Sequence, residues 1–221
     1  MREIVLDTET TGLDPRAGHR IVEIACVELL HHVPTGRGFH RYVNPGRDMP
    51  DDALAVHGLT AEFLASYPPF AEVAGELLEF VGSDPLVIHN AEFDLAFLNM
   101  ELARLERVPV AWASVDTLAL ARQRYPGAPA SLDALCRRFD IDLSGRAEHG
   151  AKIDCSLLAA VYLELIGGRQ PGLDFAAPAT AGVAAVRIAR APRPHLPSAE
   201  ELAAHQAMLV LLTAPVWLSE A

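Results

Sequence analysis

The sequence predicts an α/β domain whose mixed five-stranded sheet is flanked by helices, followed by a flexible tail that ends in a short helix. Three observations lead to this fold class. Strand-like segments cluster near the start of the chain, strand and helix patterns then alternate to residue 168, and prolines and alanines replace this periodicity from residue 169. Apolar residues make up 51% of the 221 positions, so most of the chain can fold around a core. Strands followed by strand–helix units are typical of a mixed sheet covered by helices.

The first three strands are predicted at residues 3–7, 21–30 and 38–43, where β-branched and apolar residues prevail. Because the turns between them (11–15 and 34–36) are short, we expect an antiparallel meander. A short buried strand follows at 86–89 and would extend the sheet in parallel. Helical patterns are predicted at 51–56, 70–81, 91–106, 116–124, 131–139 and 150–166, the last ending at two glycines.

The C-terminal quarter divides differently. We expect one domain over residues 1–168, a flexible linker with five prolines over 169–198, and a separate segment over 199–221. Ser198 and Glu201 form the pattern of a capping box, which predicts a helix from residue 199 to about Leu212. The apolar side of this helix has no local partner in the sequence. It comprises Leu202, Leu209 and Leu212, with Trp217 beyond.

The charge distribution restricts the function. Residues 1–168 hold 25 acidic and 14 basic side chains, whereas the rest of the chain is neutral. Binding of duplex DNA by a basic surface is therefore excluded as the main activity. No apolar run reaches membrane-spanning length and no signal peptide is recognisable, so we expect no membrane association. Three widely spaced cysteines suit a reducing cytoplasm.

Four carboxylates are candidates for one common site. Asp7 and Glu9 share a face at the end of the first strand, because strand side chains alternate. Asp94 and Asp154 each lead the apolar stripe of a helix rather than its solvated side. Acids on inward faces cost free energy unless something compensates, and hard oxygen ligands select Mg²⁺ or Mn²⁺. The alternative is that the first two end a polar strand and the others favour their helix starts.

His149 lies five residues before Asp154 and so does not share its helix face. We place it on the loop that enters the helix. A histidine beside a metal–carboxylate cluster can accept a proton from water near neutral pH.

Three segments in order resemble the motifs of the DEDD-type 3′→5′ exonucleases with a catalytic histidine. They are Asp7–Glu9, His89–Asp94 and His149–Asp154. More narrowly, the chain resembles the epsilon subunits of bacterial DNA polymerase III, which proofread newly made DNA. The resemblance implies a ribonuclease-H-like fold and two-metal phosphodiester hydrolysis that releases nucleoside 5′-monophosphates from a 3′ end.

The resemblance also assigns residues. It makes Asp7, Glu9, Asp94 and Asp154 the ligands of two divalent cations, Mg²⁺ or Mn²⁺, and His149 the general base. Asp52 stands where the family usually has Glu, so its side chain is shorter. The implied substrate contacts are Asp7, Glu9, Thr10, Thr11, Gly12, Leu13, Asp52, His57, Phe93 and Asp154.

Two further partners follow from the resemblance of the tail. Gln170, Leu173 and Phe175 have the form of a peptide that binds the bacterial sliding clamp. The terminal segment, with Leu202, Leu209, Leu212 and Trp217, matches the region that docks on the polymerase III alpha subunit. Tethering by the linker would let an acidic exonuclease reach a DNA 3′ end without holding DNA tightly itself.

Two other functions remain open at this point. One is an oligoribonuclease-like exonuclease that trims RNA with the same catalytic residues, although such enzymes typically end near the domain boundary. The other is a non-catalytic scaffold that joins polymerase and clamp. The presence of all five catalytic positions speaks against the scaffold.

Overall fold

The computed structural model describes residues 1–144, 150–168 and 196–213. The chain divides into two units, Met1–Leu173 and Asp174–Ala221. The sequence-based boundaries at residues 168 and 198 stay predictions.

The first unit contains a five-stranded sheet with the order β3-β2-β1-β4-β5. β1 is central. It runs antiparallel to β2, which runs antiparallel to β3, while β4 and β5 are parallel additions on the other side. The predicted mixed sheet with an antiparallel meander is confirmed. The strands are β1 Arg2–Thr10, β2 Ile21–Leu30, β3 Val33–Tyr42, β4 Leu86–Ile88 and β5 Ser114–Asp116.

The β2–β3 connection and β5 differ from the prediction. β3 begins at Val33 rather than at residue 38, because the tight turn is His31–His32, where both residues have positive φ. A two-residue hairpin loop requires such angles, which histidine adopts only uncommonly. Pro34 is tolerated inside β3 because this strand forms the edge of the sheet. β5 has three residues, too few for a visible alternation.

Eight α-helices are described, and a 3₁₀ turn at Pro15–Ala17 precedes β2. Four of the eight α-helices begin at a side-chain cap; for example, Asp116 accepts two backbone N–H groups of α5, and Ser131 accepts one of α6. α2 is a single turn that the sequence did not reveal. The helices are α1 Asp51–His57, α2 Ala61–Leu64, α3 Phe70–Val81, α4 Ala91–Arg104, α5 Thr117–Arg124, α6 Leu132–Arg138, α7 Ala151–Leu165 and α8 Ala199–Leu211.

Helices cover both faces of the sheet. Ile4 and Leu6 of β1 join the core formed with α3 and α4, whereas Val5 between them joins the core formed with α7. This alternation continues toward the carboxyl end of β1, so consecutive side chains there lie toward different helical layers. A third cluster joins α5, α6 and α7.

The described part of the second unit is centred on α8, and its predicted capping box is confirmed. Ser198 Oγ accepts the Glu201 N–H at 3.2 Å, while the Glu201 carboxylate accepts the Ser198 N–H at 2.8 Å. Leu202 and Leu212 are exposed and Leu209 is buried. Trp217 lies outside the described residues. None of the helices in the described ranges combines the length and the apolar character needed to cross a membrane.

Candidate active site

The carboxyl end of β1 brings Asp7 and Glu9 to the face of the sheet that α7 covers. They continue the alternation that begins with Val5, whose side chain packs against α7. Asp7 lies opposite Ala25 of β2, and Glu9 lies opposite Glu23. Both acids are half-buried. The strand therefore fixes two carboxylates side by side at the start of α7.

α7 supplies the third acid. Asp154 is in its first turn, is only 5% exposed, and its backbone N–H bonds to the Gly150 carbonyl. One carboxylate oxygen from each of Asp7, Glu9 and Asp154 lies within 4.8 Å of the other two. These three acids thus meet in space, although Asp7 and Asp154 are 147 positions apart in the chain.

Asp94 reaches the same end of β1 from the opposite helical layer. It lies in the first turn of α4, is 3% exposed, and its Oδ1 accepts the Thr8 hydroxyl at 2.6 Å. It is not among the three acids within 4.8 Å of one another. Thr8, which lies between Asp7 and Glu9, is therefore the strand residue that fixes Asp94.

The crowding of acids changes their protonation. Burial, followed by the charges of Asp94 and Glu9, raises the pKa of Asp7 well above its ordinary value. Burial raises the pKa of Asp94 to about 7, against the opposing effect of the Thr8 hydrogen bond. Ionising the whole cluster is unfavourable for the protein alone. A cation placed among these oxygens would reverse that effect.

A cleft of about 600 Å³ opens beside the acids. Its volume is typical of sites that hold a small molecule or one nucleotide unit. Leu13 protrudes from its wall with 85% of its surface exposed. Of the predicted substrate contacts, the cleft is lined by Glu9, Thr10, Thr11, Gly12, Leu13, Asp52, His57 and Phe93. Asp7 and Asp154 are not among its lining residues.

The loop after β1 forms one wall of the cleft and is held closely. The Thr11 hydroxyl accepts the Arg20 N–H at 3.0 Å and lies 3.2 Å from His19 Nδ1. The ring of His19 packs so tightly on Gly12 that a Cβ there would collide with it. Gly12 is thus required by a close approach rather than by the turn alone.

Arg20 fastens this loop to α4. Its guanidinium makes two hydrogen bonds with the carboxylate of Glu101, at 2.5 and 2.7 Å, and Glu101 is 2% exposed. Two parallel hydrogen bonds between a guanidinium and a carboxylate fix the orientation of both side chains and also pair their charges. Because α4 also carries Asp94, the cleft wall and the fourth acid share one support.

The opposite wall comes from α1. His57 ends this helix, is buried, and its Nδ1 accepts the Leu59 N–H at 3.0 Å, which leaves the proton of the neutral ring on Nε2. Asp52 is exposed on the same helix. Phe93 lines the cleft and also contacts Phe97 of the core, with ring centroids 5.0 Å apart.

Some of this site was not predicted from the sequence. Thr8, Asp14, His19, Pro50, Ala53 and Val56 also line the cleft. His19 sits close to the recognised segment, but only the fold shows that it touches Gly12. His149 lies outside the described residues, as do Gln170, Leu173 and Phe175.

The sheet topology, with acids at the end of its central strand, is that of the ribonuclease-H-like fold class. The solved structure described as Exonuclease X in complex with 5′ overhanging duplex DNA has the same fold, with a TM-score of 0.60 and 26% identity over 74% of this chain and 90% of its own. The chain belongs to the exonuclease family, which it matches over residues 4–162.

The chain is also similar to individual proteins that share one name. It is 55% identical to the DNA polymerase III subunit epsilon of Rickettsia felis over 77% of this chain and 76% of that protein. It is 43% identical to the subunit of the same name from Escherichia coli over 96% and 93%. These matches confirm the predicted resemblance to epsilon subunits and the prediction of a 3′→5′ exonuclease, and nothing in them favours RNA trimming or a scaffold.

Proposed function

We propose that this chain works as the proofreading 3′→5′ exonuclease subunit of a bacterial DNA polymerase III and removes mismatched 3′-terminal nucleotides. The observation that carries the proposal is the convergence of Asp7, Glu9 and Asp154 beside a cleft of nucleotide size. Similarity to an epsilon subunit over 96% of the chain supports the subunit role.

The donor set fits two divalent cations. Asp7, Glu9, Asp94 and Asp154 offer only carboxylate oxygens, which Mg²⁺ and Mn²⁺ prefer. The raised pKa values of Asp7 and Asp94 point to the same need for positive charge. When bound, such ions lower the pKa of the attacking water and stabilise the leaving 3′ oxygen.

The cleft residues orient the terminal nucleotide. The loop of Thr10, Thr11 and Gly12 offers its backbone to the sugar and phosphate, and exposed Leu13 offers an apolar surface on which a base can pack. His57 lines the opposite wall, where its ring is fixed by the hydrogen bond from the Leu59 N–H to Nδ1. Phe93 closes the floor. We expect a frayed single-stranded 3′ end to enter this cleft more readily than a paired one.

His149 takes the proton of the attacking water. In the sequence it directly precedes Gly150, the N-cap residue of α7, and α7 carries Asp154. The product is a nucleoside 5′-monophosphate. Because an imidazole titrates near neutral pH, it can return that proton to solvent before the next cycle.

The acidic charge of the chain implies that other proteins bring the DNA. We assign Gln170, Leu173 and Phe175 to the sliding clamp. We assign Leu202, Leu209, Leu212 and Trp217 to the polymerase III alpha subunit. Tethering raises the local concentration of the exonuclease at the 3′ end without new DNA contacts. With these partners, we expect the chain to work in the cytoplasm, at the replication fork.

The clamp assignment predicts a specific loss. Replacing Leu173 and Phe175 together by Ala removes both apolar anchors, and we expect the Kd for the purified clamp to rise at least about tenfold. Val186→Ala with Ile188→Ala removes two apolar side chains from the same linker and serves as the matched control. Equal affinities of the two double variants, measured by calorimetry, would rule the assignment out.

The exonuclease activity is tested on a 3′-mismatched DNA primer and on RNA of the same sequence, with Mg²⁺ or Mn²⁺ and the full chain. We expect mononucleotides from the DNA 3′ end and no activity with excess EDTA. Faster attack on RNA would instead indicate an RNA-trimming enzyme. Binding to polymerase and clamp without hydrolysis of either substrate would indicate a scaffold.

A further inference from the structure

A buried glutamate of β2 lies beside the acidic cluster without belonging to it. Glu23 is 3% exposed and is the cross-strand partner of Glu9, so the two side chains are on the same face of the sheet. Its carboxylate is not among the three acids within 4.8 Å of one another. The charge of Glu23 adds to the repulsion that raises the pKa of Asp7. We therefore looked for a role of Glu23 other than binding the same cation as the three acids.

Both carboxylate oxygens of Glu23 are engaged within the protein. One accepts a hydrogen bond from His40 Nε2 of β3 at 2.7 Å, and the other accepts the backbone N–H of Ala151 at 3.1 Å. His40 is in turn in edge contact with Tyr42, with ring centroids 4.9 Å apart. The Glu23 side chain therefore links β2 and β3 to the first residue of α7.

This contact replaces a missing helix cap. The first N–H groups of a helix have no partner within it, and a side chain of the preceding residue usually supplies one. α7 is preceded by Gly150, which has no side chain. Glu23 supplies both the acceptor and a negative charge at the positive end of the helix, from a strand 128 positions away along the sequence.

The anchored residue is next to the catalytic groups. Ala151 comes three residues before Asp154 and two after His149. One residue beyond Asp154, the Cys155 thiol donates to the Ala25 carbonyl of β2 at 3.2 Å. The turn that carries Asp154 is thus attached to β2 on both sides.

We propose that Glu23, oriented by His40, is a positioning residue that fixes the first turn of α7 and so holds Asp154 at its distance from Asp7 and Glu9. The catalytic meaning of this inference rests on the proposed exonuclease function. The physical need is direct: like charges drive Asp154 away from Asp7 and Glu9, and a shift of about 1 Å can lower turnover about 100-fold. The hydrogen bond to Ala151 opposes that shift.

Two substitutions separate positioning from general stability. Glu23→Ala removes the anchor. Glu23→Gln keeps an oxygen for the Ala151 N–H, and its amide N–H can donate to the neutral His40 ring once that ring carries its proton on Nδ1. Glu28→Ala is the matched control, because Glu28 is also a buried acid of β2, is bonded to Arg2 and Arg37, and lies at the opposite end of the strand.

Turnover and hydrogen exchange are measured for all four proteins. For Glu23→Ala we expect kcat on single-stranded DNA to fall about 10- to 100-fold with KM within about threefold, and the amides of residues 151–154 to exchange at least about tenfold faster. Glu23→Gln should recover kcat to within about fivefold of wild type. Glu28→Ala should keep wild-type kcat and wild-type exchange at 151–154.

Three results would overturn the inference. They are unchanged exchange at residues 151–154 in Glu23→Ala, a loss of kcat that Glu28→Ala shares, and a Glu23→Gln variant no better than Glu23→Ala. If the wild-type chain itself releases no nucleotides, the proposed function fails instead. In that case the exchange measurement still decides whether Glu23 fixes the start of α7.

Discussion

The two ends of strands β1 and β2 surround their buried acids in opposite ways. At the amino end of β1, Glu28 accepts hydrogen bonds from Arg2, Thr35 and Arg37, and the Arg2 bond is the main reason that the pKa of its carboxyl is lowered. At the carboxyl end, burial and neighbouring acids raise the pKa of Asp7, and burial raises that of Asp94. One sheet therefore neutralises acids at one end and crowds them at the other.

The difference shows which end serves stability and which serves function. A carboxylate with a lowered pKa favours the folded state at neutral pH, whereas one with a raised pKa disfavours it. Proteins keep the second arrangement where chemistry needs it. Residues 1–168 have 25 acids against 14 bases. Arg2 bonds Glu28 at the amino end of β1, and Arg20 on the cleft wall is already paired with Glu101. The crowded end thus calls for positive charge from outside the chain.

Removing one catalytic side chain from the carboxyl end, or one paired acid from the amino end, should have the largest effects on kcat and Tm. Asp154→Ala and His149→Ala should lower exonuclease kcat on the order of 1000-fold, because each removes part of one catalytic unit. Thermal unfolding of Asp154→Ala should be unchanged or shifted upward, since a like charge is removed. Glu28→Ala should do the reverse, with kcat within about twofold of wild type and a lower Tm. More than a tenth of wild-type activity in Asp154→Ala would contradict its catalytic role.

The same contrast explains what the sequence could reveal. β2 at 21–30 and α3 at 70–81 were predicted with their observed bounds, because their apolar patterns are continuous and end at turn residues or glycine. The start of β3 was predicted five residues late, because Pro34 and Gly36 resemble a turn. The real turn uses two histidines in an unusual conformation.

At the site, local periodicity predicted inward faces for the acids but not the residues that support them, and the assignment of the acids as metal ligands came from the resemblance and stays a prediction. Asp7 and Glu9 follow from strand alternation, and Asp154 from its place on an apolar helix stripe. The link from Thr8 to Asp94 and the pair of Arg20 with Glu101 join residues more than 80 positions apart. Only the packed layers of the fold bring such partners together, so no spacing along the chain indicates them.

Divalent cations should stabilise the folded protein only through the acids at the carboxyl end of β1. At pH 8, Mg²⁺ or Mn²⁺ at about 100 times its Kd should raise the Tm of the wild-type chain by roughly 5–10 °C. Asp7→Asn should lose most of this gain because it removes a ligand oxygen and a charge. Glu28→Gln should keep it, although its starting Tm is lower. Equal shifts for all three proteins in calorimetry would show that the ions bind elsewhere.

A change of pH without metal should give the smallest predicted change in stability, and this change depends on Asp94. Because the pKa of Asp94 rises from its ordinary 3.8 to about 7, the folded chain binds more protons than the unfolded chain between these values. This carboxyl therefore makes the free energy of unfolding decrease as pH rises from about 4 to 7, with no further change above 7. Asp94→Asn, which keeps an oxygen for the Thr8 hydroxyl, should remove this decrease.

Glu28 gives the opposite slope. Its lowered pKa contributes stability above its ordinary value of 4.5 that is lost as the pH falls further. Between pH 6 and 8, the Tm of metal-free wild type should fall by about 3–5 °C more than that of Asp94→Asn. Glu28→Gln should follow wild type across that range and diverge only in acid. Parallel curves for wild type and Asp94→Asn would mean that Asp94 is ionised without a cation, because another group already neutralises it.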